Sequence, residues 1–410
     1  MAINQRRNGI ARFCAVTRFN LLHAIRQYAS STTASADNLM EDEYSDTKTS
    51  QHSVKEAAFR LPSLQLQSGT ILSNVNIKYA TYGRLSPKRD NVVVLCHALT
   101  GHPLVHQYWD AFVSRAWTDR YFIICTNILG SCYGTTGPCS IDPNTKKPFG
   151  PTFPFVTIQD AVKAQKRLLE SMGIQSIKAV IGGSLGGMQT LEWALLAQEE
   201  PHMNIQSIVP IACPSQHSAW QIAFNELQRQ AIRMDPLFCN GYFDPDSPPR
   251  QGFSLARQIA MVSYRTHQAY IAKYGREKHS GDHRMCRHSV KEISNDSVPF
   301  LVQSYLHYQG EKFLSRFDVN SYMTLSHMMD SHDVGRDRGG VDQALNSIKQ
   351  PALVIGVDTD VLYPVVEQQE LARGLPNATL KILNSKHGHD AFLLEQKRIS
   401  DWTWEFLQKI

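Results

Sequence analysis

Gly182-Gly183-Ser184-Leu185-Gly186 sets a serine between glycines at Gly-x-Ser-x-Gly spacing. A serine hydroxyl is a poor nucleophile until a base takes its proton, so the pattern needs an acid and a histidine elsewhere in the chain. Both occur downstream. Asp358-Thr359-Asp360 follows the apolar run 352–357, and His387-Gly388-His389-Asp390 follows the run 380–383. The order serine, acid, histidine is that of a nucleophile elbow served by two later loops. The chemistry is attack on an acyl carbonyl through a covalent acyl-serine. Spacing does not choose between Asp358 and Asp360, or between His387 and His389. The oxygen that turns negative during attack needs two backbone N–H donors. One is expected from Leu185, at the start of the following helix, where the helix dipole also favours negative charge. The other is expected from the loop 97–101, with Leu99 as the donor. His97 precedes the serine, the wrong chain order for the base, and reads as structural.

These groups need a scaffold, and the hydrophobic pattern supplies one. Residues 75–82 alternate like a strand, while 91–96, 121–127, 177–181 and 205–211 are strand-sized apolar runs. Helical spacing appears at 158–172 and 188–198. Strand–helix alternation of this kind predicts a mostly parallel sheet with helices on both faces. With the elbow between a strand and a helix, the expected fold class is α/β, specifically the α/β-hydrolase fold. From residue 215 to 348 the sequence is helical and polar, which suits a helical lid inserted between strands. The expected organisation is core at 59–214, lid at 215–348 and core again at 349–410, closed by a helix over 391–408.

The N-terminus differs in kind. Arg6, Arg7, Arg12, Arg18 and Arg26 precede the first acidic residue, Asp37, with Ile10, Phe13, Leu21, Leu22 and Ile25 among them. A basic, acid-free, amphipathic start reads as a mitochondrial presequence over 1–28, followed by a polar linker over 29–58. The expected location is the mitochondrial matrix. No run approaches the roughly 20 apolar residues of a membrane span. The formal net charge of +5 owes part of its excess to that start, so it gives no reason to expect a nucleic-acid partner. Eight scattered cysteines read as thiols, Cys132 and Cys139 included. His279, His283, Cys286 and His288 match no common zinc spacing and lie among Lys278, Arg284 and Arg287. No metal is expected.

Several segments together resemble the homoserine O-acetyltransferase family: the elbow continued through Met188-Gln189-Thr190-Leu191-Glu192-Trp193, Cys96-His97-Ala98-Leu99-Thr100-Gly101, Gly134-Thr135-Thr136-Gly137-Pro138, Phe153-Pro154-Phe155-Val156-Thr157-Ile158, Phe317-Asp318-Val319-Asn320-Ser321-Tyr322, and Gly388-His389-Asp390-Ala391-Phe392-Leu393. The resemblance implies a triad of Ser184, Asp360 and His389. It places Arg257 on the acceptor's carboxylate and Asp390 on its ammonium. It implies no bound cofactor, an acyl-CoA co-substrate (succinyl-CoA or acetyl-CoA), and a homodimer. Residues 127–138 look more like the fungal serine-acylating branch, so L-serine is the expected acceptor, in cysteine biosynthesis. L-homoserine, in methionine biosynthesis, is the alternative, and an esterase or thioesterase on the same triad is a further one. Succinyl-transferring members carry an arginine soon after the acid, where this chain has Leu362.

Overall fold

A computed structural model describes residues 54–200, 202–278 and 300–410. The presequence reading, nearly all of the linker 29–58 and the cluster of His279, His283, Cys286 and His288 lie outside these residues.

The described strands are β1 (Val54–Gln65), β2 (Ile71–Tyr82), β3 (Val92–Cys96), β4 (Phe122–Thr126), β5 (Ser176–Gly183), β6 (Asn204–Ile205), β7 (Ile208–Ile211), β8 (Ala352–Val357) and β9 (Ala378–Leu383). They form one sheet in the order β1-β2-β4-β3-β5-β7-β8-β9, with β6 alongside β5. β1 and β2 run antiparallel, and the strands from β4 to β9 are parallel. Short runs of β-branched residues suit a sheet buried on both faces. In β3, Val92, Val94 and Cys96 enter one core layer, while Val93 and Leu95 enter the other.

The edges depart from expectation. β1 starts at Val54, inside the segment expected as linker, and β2 starts at Ile71. β1 lies at the sheet edge with much of its surface exposed, so its own pattern is weak. Pairing with β2 from Val54↔Tyr82 to Gln65↔Ile71 holds it in place. The run 205–211 is two strands, interrupted where the Ser207 hydroxyl donates to the Lys178 carbonyl at 2.7 Å. The expected closing helix is also two, broken at Glu395.

Helix α1 (Ile158–Ser171) opens on a reciprocal cap. The Asp160 N–H donates to Thr157 Oγ1 at 3.2 Å, and the Thr157 N–H donates to Asp160 Oδ2 at 2.9 Å. Helix α2 (Leu185–Glu199) follows β5 directly and is buried from Leu185 through Leu196. It is apolar on nearly every side, as a central helix must be. Between β7 and β8 come α3 (Ala219–Arg233), α4 (Arg250–Tyr264), α5 (His267–Tyr274), α6 (Leu301–Leu314), α7 (Val319–Asp330) and α8 (Val341–Ser347). Helix α9 (Val365–Gly374) lies between β8 and β9, and a short helix, Ala391–Leu394, and α10 (Gln396–Leu407) follow β9.

The segment between α7 and α8 is tied back to α2. Arg338 pairs with both oxygens of Glu192, at 2.9 and 3.2 Å, and its Nε reaches Glu199 at 2.8 Å. Burial pushes the Glu192 carboxyl up despite this partner. Arg338→Met leaves that carboxylate buried without a cation, so the fold should lose about 3 kcal/mol at pH 8. The loss shrinks as pH falls through the raised native value, because Glu192 then takes up a proton and its buried charge disappears. Urea denaturation of the two proteins across pH checks both the size and the sign.

Candidate active site

The chain must reverse sharply between β5 and α2, and Ser184 occupies the reversal at φ 58°, ψ −124°. That left-handed, strained conformation is held by its surroundings. The Ser184 N–H donates to the Ile211 carbonyl at 2.9 Å, tying the turn to β7. Its flanking glycines have separate reasons. A Cβ on Gly182 would run into the Gly186 carbonyl, and one on Gly186 into the carbonyl of Cys96. One on Gly183 would lie 2.6 Å from the Phe392 ring, and one on Gly187 2.5 Å from Cys213 Sγ. The elbow is therefore packed on every side, with the end of β3 directly against the first turn of α2.

The two later loops are stitched to each other. Thr359 Oγ1 donates to the Ser385 carbonyl at 2.5 Å and accepts from the Gly388 N–H at 3.2 Å. Asp358 is consumed in this stitching: it accepts from Asn384 Nδ2 at 2.6 Å and from the Ser385 N–H at 3.0 Å. Asp360 turns inward. Its Oδ1 accepts from the Leu362 and Tyr363 N–H groups, both at 2.9 Å, which leaves Oδ2 to meet His389 Nδ1 at 2.7 Å. With Nδ1–H committed to the carboxylate, His389 Nε2 carries the free lone pair. His387 makes no such pair; its backbone N–H donates to Ser385 Oγ. Three rings hold the His389 imidazole: Tyr363 at 5.0 Å, Phe392 at 5.3 Å and Tyr264 at 5.8 Å between centroids. Phe392, packed on Gly183, is thus the wedge between the elbow and the histidine. Ser184 and His389 are both buried.

Of the expected oxyanion donors, Leu185 is the first residue of α2 and Leu99 lies buried in the loop after β3. Arg257, on α4, is half-buried. Its guanidinium stands 4.9 Å from the centroid of Phe313 and 5.8 Å from that of Tyr264, the same ring that faces His389. Asp390 is not a lone anion, because Arg265 Nε meets its Oδ2 at 2.7 Å. Burial nevertheless raises its carboxyl pKa, against the pull of Arg265, His389 and Arg257.

Sequence reasoning missed three side chains here. Tyr264 bridges Arg257 and His389. Tyr363 backs His389 and shares its hydroxyl with His217 Nε2 at 2.8 Å. Arg316 reaches across from the end of α6 to the Thr100 carbonyl at 3.0 Å and to Thr100 Oγ1 at 3.3 Å, and its guanidinium covers Phe313 at 5.0 Å. Among the described residues neither Arg257 nor Arg316 has a carboxylate partner. Arg316 had a signal, since it directly precedes the Phe317–Tyr322 motif. The tyrosines had none.

Residues 91–396 match the model of the alpha/beta hydrolase fold family. The homoserine O-acetyltransferase of Nostoc punctiforme is 46% identical over 345 residues, covering 82% of this chain and 91% of that protein. That of Salinibacter ruber is 42% identical, covering 84% and 96%. Among solved structures, homoserine O-acetyltransferase from Bacillus anthracis superposes with a TM-score of 0.76 at 25% identity, over 86% of this chain and 97% of that one. Esterase E22 gives 0.76 at 26%, over 86% and 100%.

The packing of the elbow separates two substitutions. Gly186→Ala collides with backbone and should yield no soluble native protein. Gly183→Ala collides with a side chain that can move, so the protein should fold. Because Phe392 must then shift against His389, labelling of Ser184 by an organophosphonate should slow at least tenfold, since about 1 Å of misplacement costs on the order of 10²-fold. Circular dichroism and labelling rates of the two variants check this.

Proposed function

Since this chain belongs to the homoserine O-acetyltransferase family, O-acyltransferases of the α/β-hydrolase fold, we propose that it moves an acetyl group from acetyl-CoA to the side-chain hydroxyl of L-homoserine, in methionine biosynthesis. The expectation of L-serine as acceptor is corrected by its relatives at 42–46% identity, which are homoserine O-acetyltransferases. The segment that suggested serine is a poor reporter for a physical reason. Thr135 Oγ1 and Thr136 Oγ1 accept from the N–H groups of Lys78 and Asn76, at 2.9 and 2.8 Å. A Cβ on Gly137 would lie 2.5 Å from the Ser131 carbonyl. Those residues fold the loop onto β2, whichever acceptor is used.

In this reading Ser184 Oγ attacks the thioester carbonyl while His389 Nε2 takes its proton. The tetrahedral oxygen is met by the Leu99 and Leu185 N–H groups. The C–S bond breaks, CoA leaves as a thiol with the proton from His389, and acetyl-Ser184 remains. The homoserine hydroxyl then gives its proton to His389 and attacks the acetyl carbon. Ester exchange frees O-acetylhomoserine and restores Ser184. Asp360 fixes the imidazole's tautomer and stabilises its cation.

The observation that carries the acceptor half is Arg257. A half-buried guanidinium with no carboxylate partner among the described residues, beside the ring that faces His389, can hold an α-carboxylate through two parallel hydrogen bonds. The ammonium falls to Asp390, shared with Arg265. Burial of Ser184 and His389 supports transfer over hydrolysis, because water competes with the acceptor for the acyl-enzyme. Exposed apolar side chains on the lid, Trp220, Leu227, Met234 and Leu237 among them, support the homodimer.

Incubation with acetyl-CoA alone should add one acetyl mass on Ser184, and L-homoserine should discharge it as O-acetylhomoserine. Ser184→Ala should remove both steps, losing at least about 10³-fold in turnover. Arg257→Lys should acylate normally and lose roughly 1.5–3 kcal/mol in the second step only. Discharge to free acetate, with no gain from the acceptor, would make the protein an esterase instead.

The proposed site of action is the mitochondrial matrix, resting on the five arginines before Asp37. Residues 1–28 fused to a reporter should direct its import and be cleaved. An uncut reporter in the cytosol overturns this.

A further inference from the structure

His97 is buried and plays no part in the triad, yet both of its ring nitrogens and its backbone carbonyl are bonded. The Ile128 N–H donates to its Nε2 at 3.1 Å, so Nε2 holds a lone pair. Its Nδ1 lies 2.8 Å from the Ala98 carbonyl oxygen, an acceptor only, so Nδ1 carries the hydrogen. The same carbonyl accepts from the Gly101 N–H at 2.9 Å. A Cβ on Gly101 would sit 2.9 Å from His97 Cβ, so a glycine lets the loop close over the ring. A peptide unit is planar, with its N–H opposed to its C=O. Two donors converging on the Ala98 oxygen therefore fix the direction of the Leu99 N–H.

The third bond joins this loop to the elbow helix. The indole N–H of Trp193 can only donate, and it reaches Gln165 Oε1 at 3.0 Å. Gln165 Nε2 must then donate to Gln189 Oε1, at 2.8 Å. Gln189 Nε2 is left to donate to the carbonyls of His97 at 3.2 Å and Leu185 at 3.4 Å. One amide nitrogen thus bridges the loop that bears Leu99 and the residue Leu185, and every orientation in the chain follows from the indole.

We propose that His97 and Gln189 are positioning residues for the oxyanion hole: the Nδ1–H tautomer of His97 aims the Leu99 N–H, and Gln189 sets its separation from the Leu185 N–H. This rests on the proposed attack by Ser184, but not on the identity of donor or acceptor. Burial also lowers the His97 pKa to about 4, which keeps the ring neutral near pH 7. Protonation would point a second N–H at that of Ile128.

The two ring nitrogens can be tested apart in the full-length protein. Asparagine places an amide N–H near the position of Nδ1, and glutamine places a carbonyl oxygen near that of Nε2. Acylation by p-nitrophenyl acetate, which needs the oxyanion hole but neither CoA nor an amino acid, is read as the nitrophenol burst. His97→Asn should stay within about fivefold of wild type, whereas His97→Gln should fall roughly 10²-fold in kcat with KM little changed, the scale of a lost oxyanion donor. Equal rates in the two variants, whether high or low, overturn the tautomer argument. If His97→Gln does not fold, Gln189→Met carries the expectation: at least a tenfold fall in kcat at unchanged KM in the folded protein, with a fall below twofold overturning the proposal. Homoserine acetylation is measured in parallel. A wild-type burst without acetylhomoserine defeats the proposed function and leaves this inference standing.

Discussion

The elbow depends on one close approach of backbone to backbone: Gly186, in the first turn of α2, sits on the carbonyl of Cys96 at the end of β3. No side chain fits between them. Because they touch, the helix dipole begins at Ser184 and the 97–101 loop starts beside it. The strain of Ser184 at positive φ is borne by surrounding contacts. Gly182 admits the helix, Gly187 admits Cys213, and the Ile211 carbonyl holds the Ser184 N–H. Strain of this kind persists only where neighbouring structure over-determines it.

A second constraint runs from the histidine into the lid. Tyr363 packs on His389 and meets His217 Nε2. His217 Nδ1 lies 3.4 Å from Asp330, which pairs with Arg229 at 2.7 Å and accepts from Asn225 at 2.7 Å. Burial lowers the His217 pKa against the pull of Asp330, so the charges to be balanced are those of Arg229 and Asp330. A buried polar chain of this kind is stable only with its members in place. It therefore specifies how α3 and α7 sit against the histidine. Arg316 does the same for the other wall, joining α6 to Thr100.

Esterase E22 and the Bacillus anthracis acetyltransferase superpose on this chain equally well. A shared fold therefore does not distinguish hydrolysis from transfer. What the helices between β7 and β8 bring near His389 is the ring of Tyr264 with the Arg257 guanidinium beside it, while Tyr363 and Phe392 come from the segments after β8. Arg257 and Tyr264 come from one helix, α4, and Phe313 from its neighbour α6.

The elbow, the central strands and the order of the three loops were legible because each is local. The apolar run 177–181, the glycine spacing at 182–186 and the helix after the serine follow one another directly. The edge strand β1 was not, because pairing with β2 holds it more than burial of its own side chains. Spacing alone could not tell Asp358 from Asp360, which stand two residues apart past the same strand; only the resemblance picked the second. In the fold, Asn384 and Ser385 engage the first, while the N–H groups of Leu362 and Tyr363 turn the second toward His389. Asp390 was expected on the acceptor's ammonium, and nothing near it in the sequence showed that Arg265, far away in the chain, pairs with it. Arg316 and Thr100 meet across 216 positions, and Trp109 holds the Phe392 carbonyl across 283. A local pattern records where the backbone can turn and which faces are apolar. Which charged or polar side chain meets which partner depends on distances through space, and those exist only once the helices between β7 and β8 have packed with the rest of the chain.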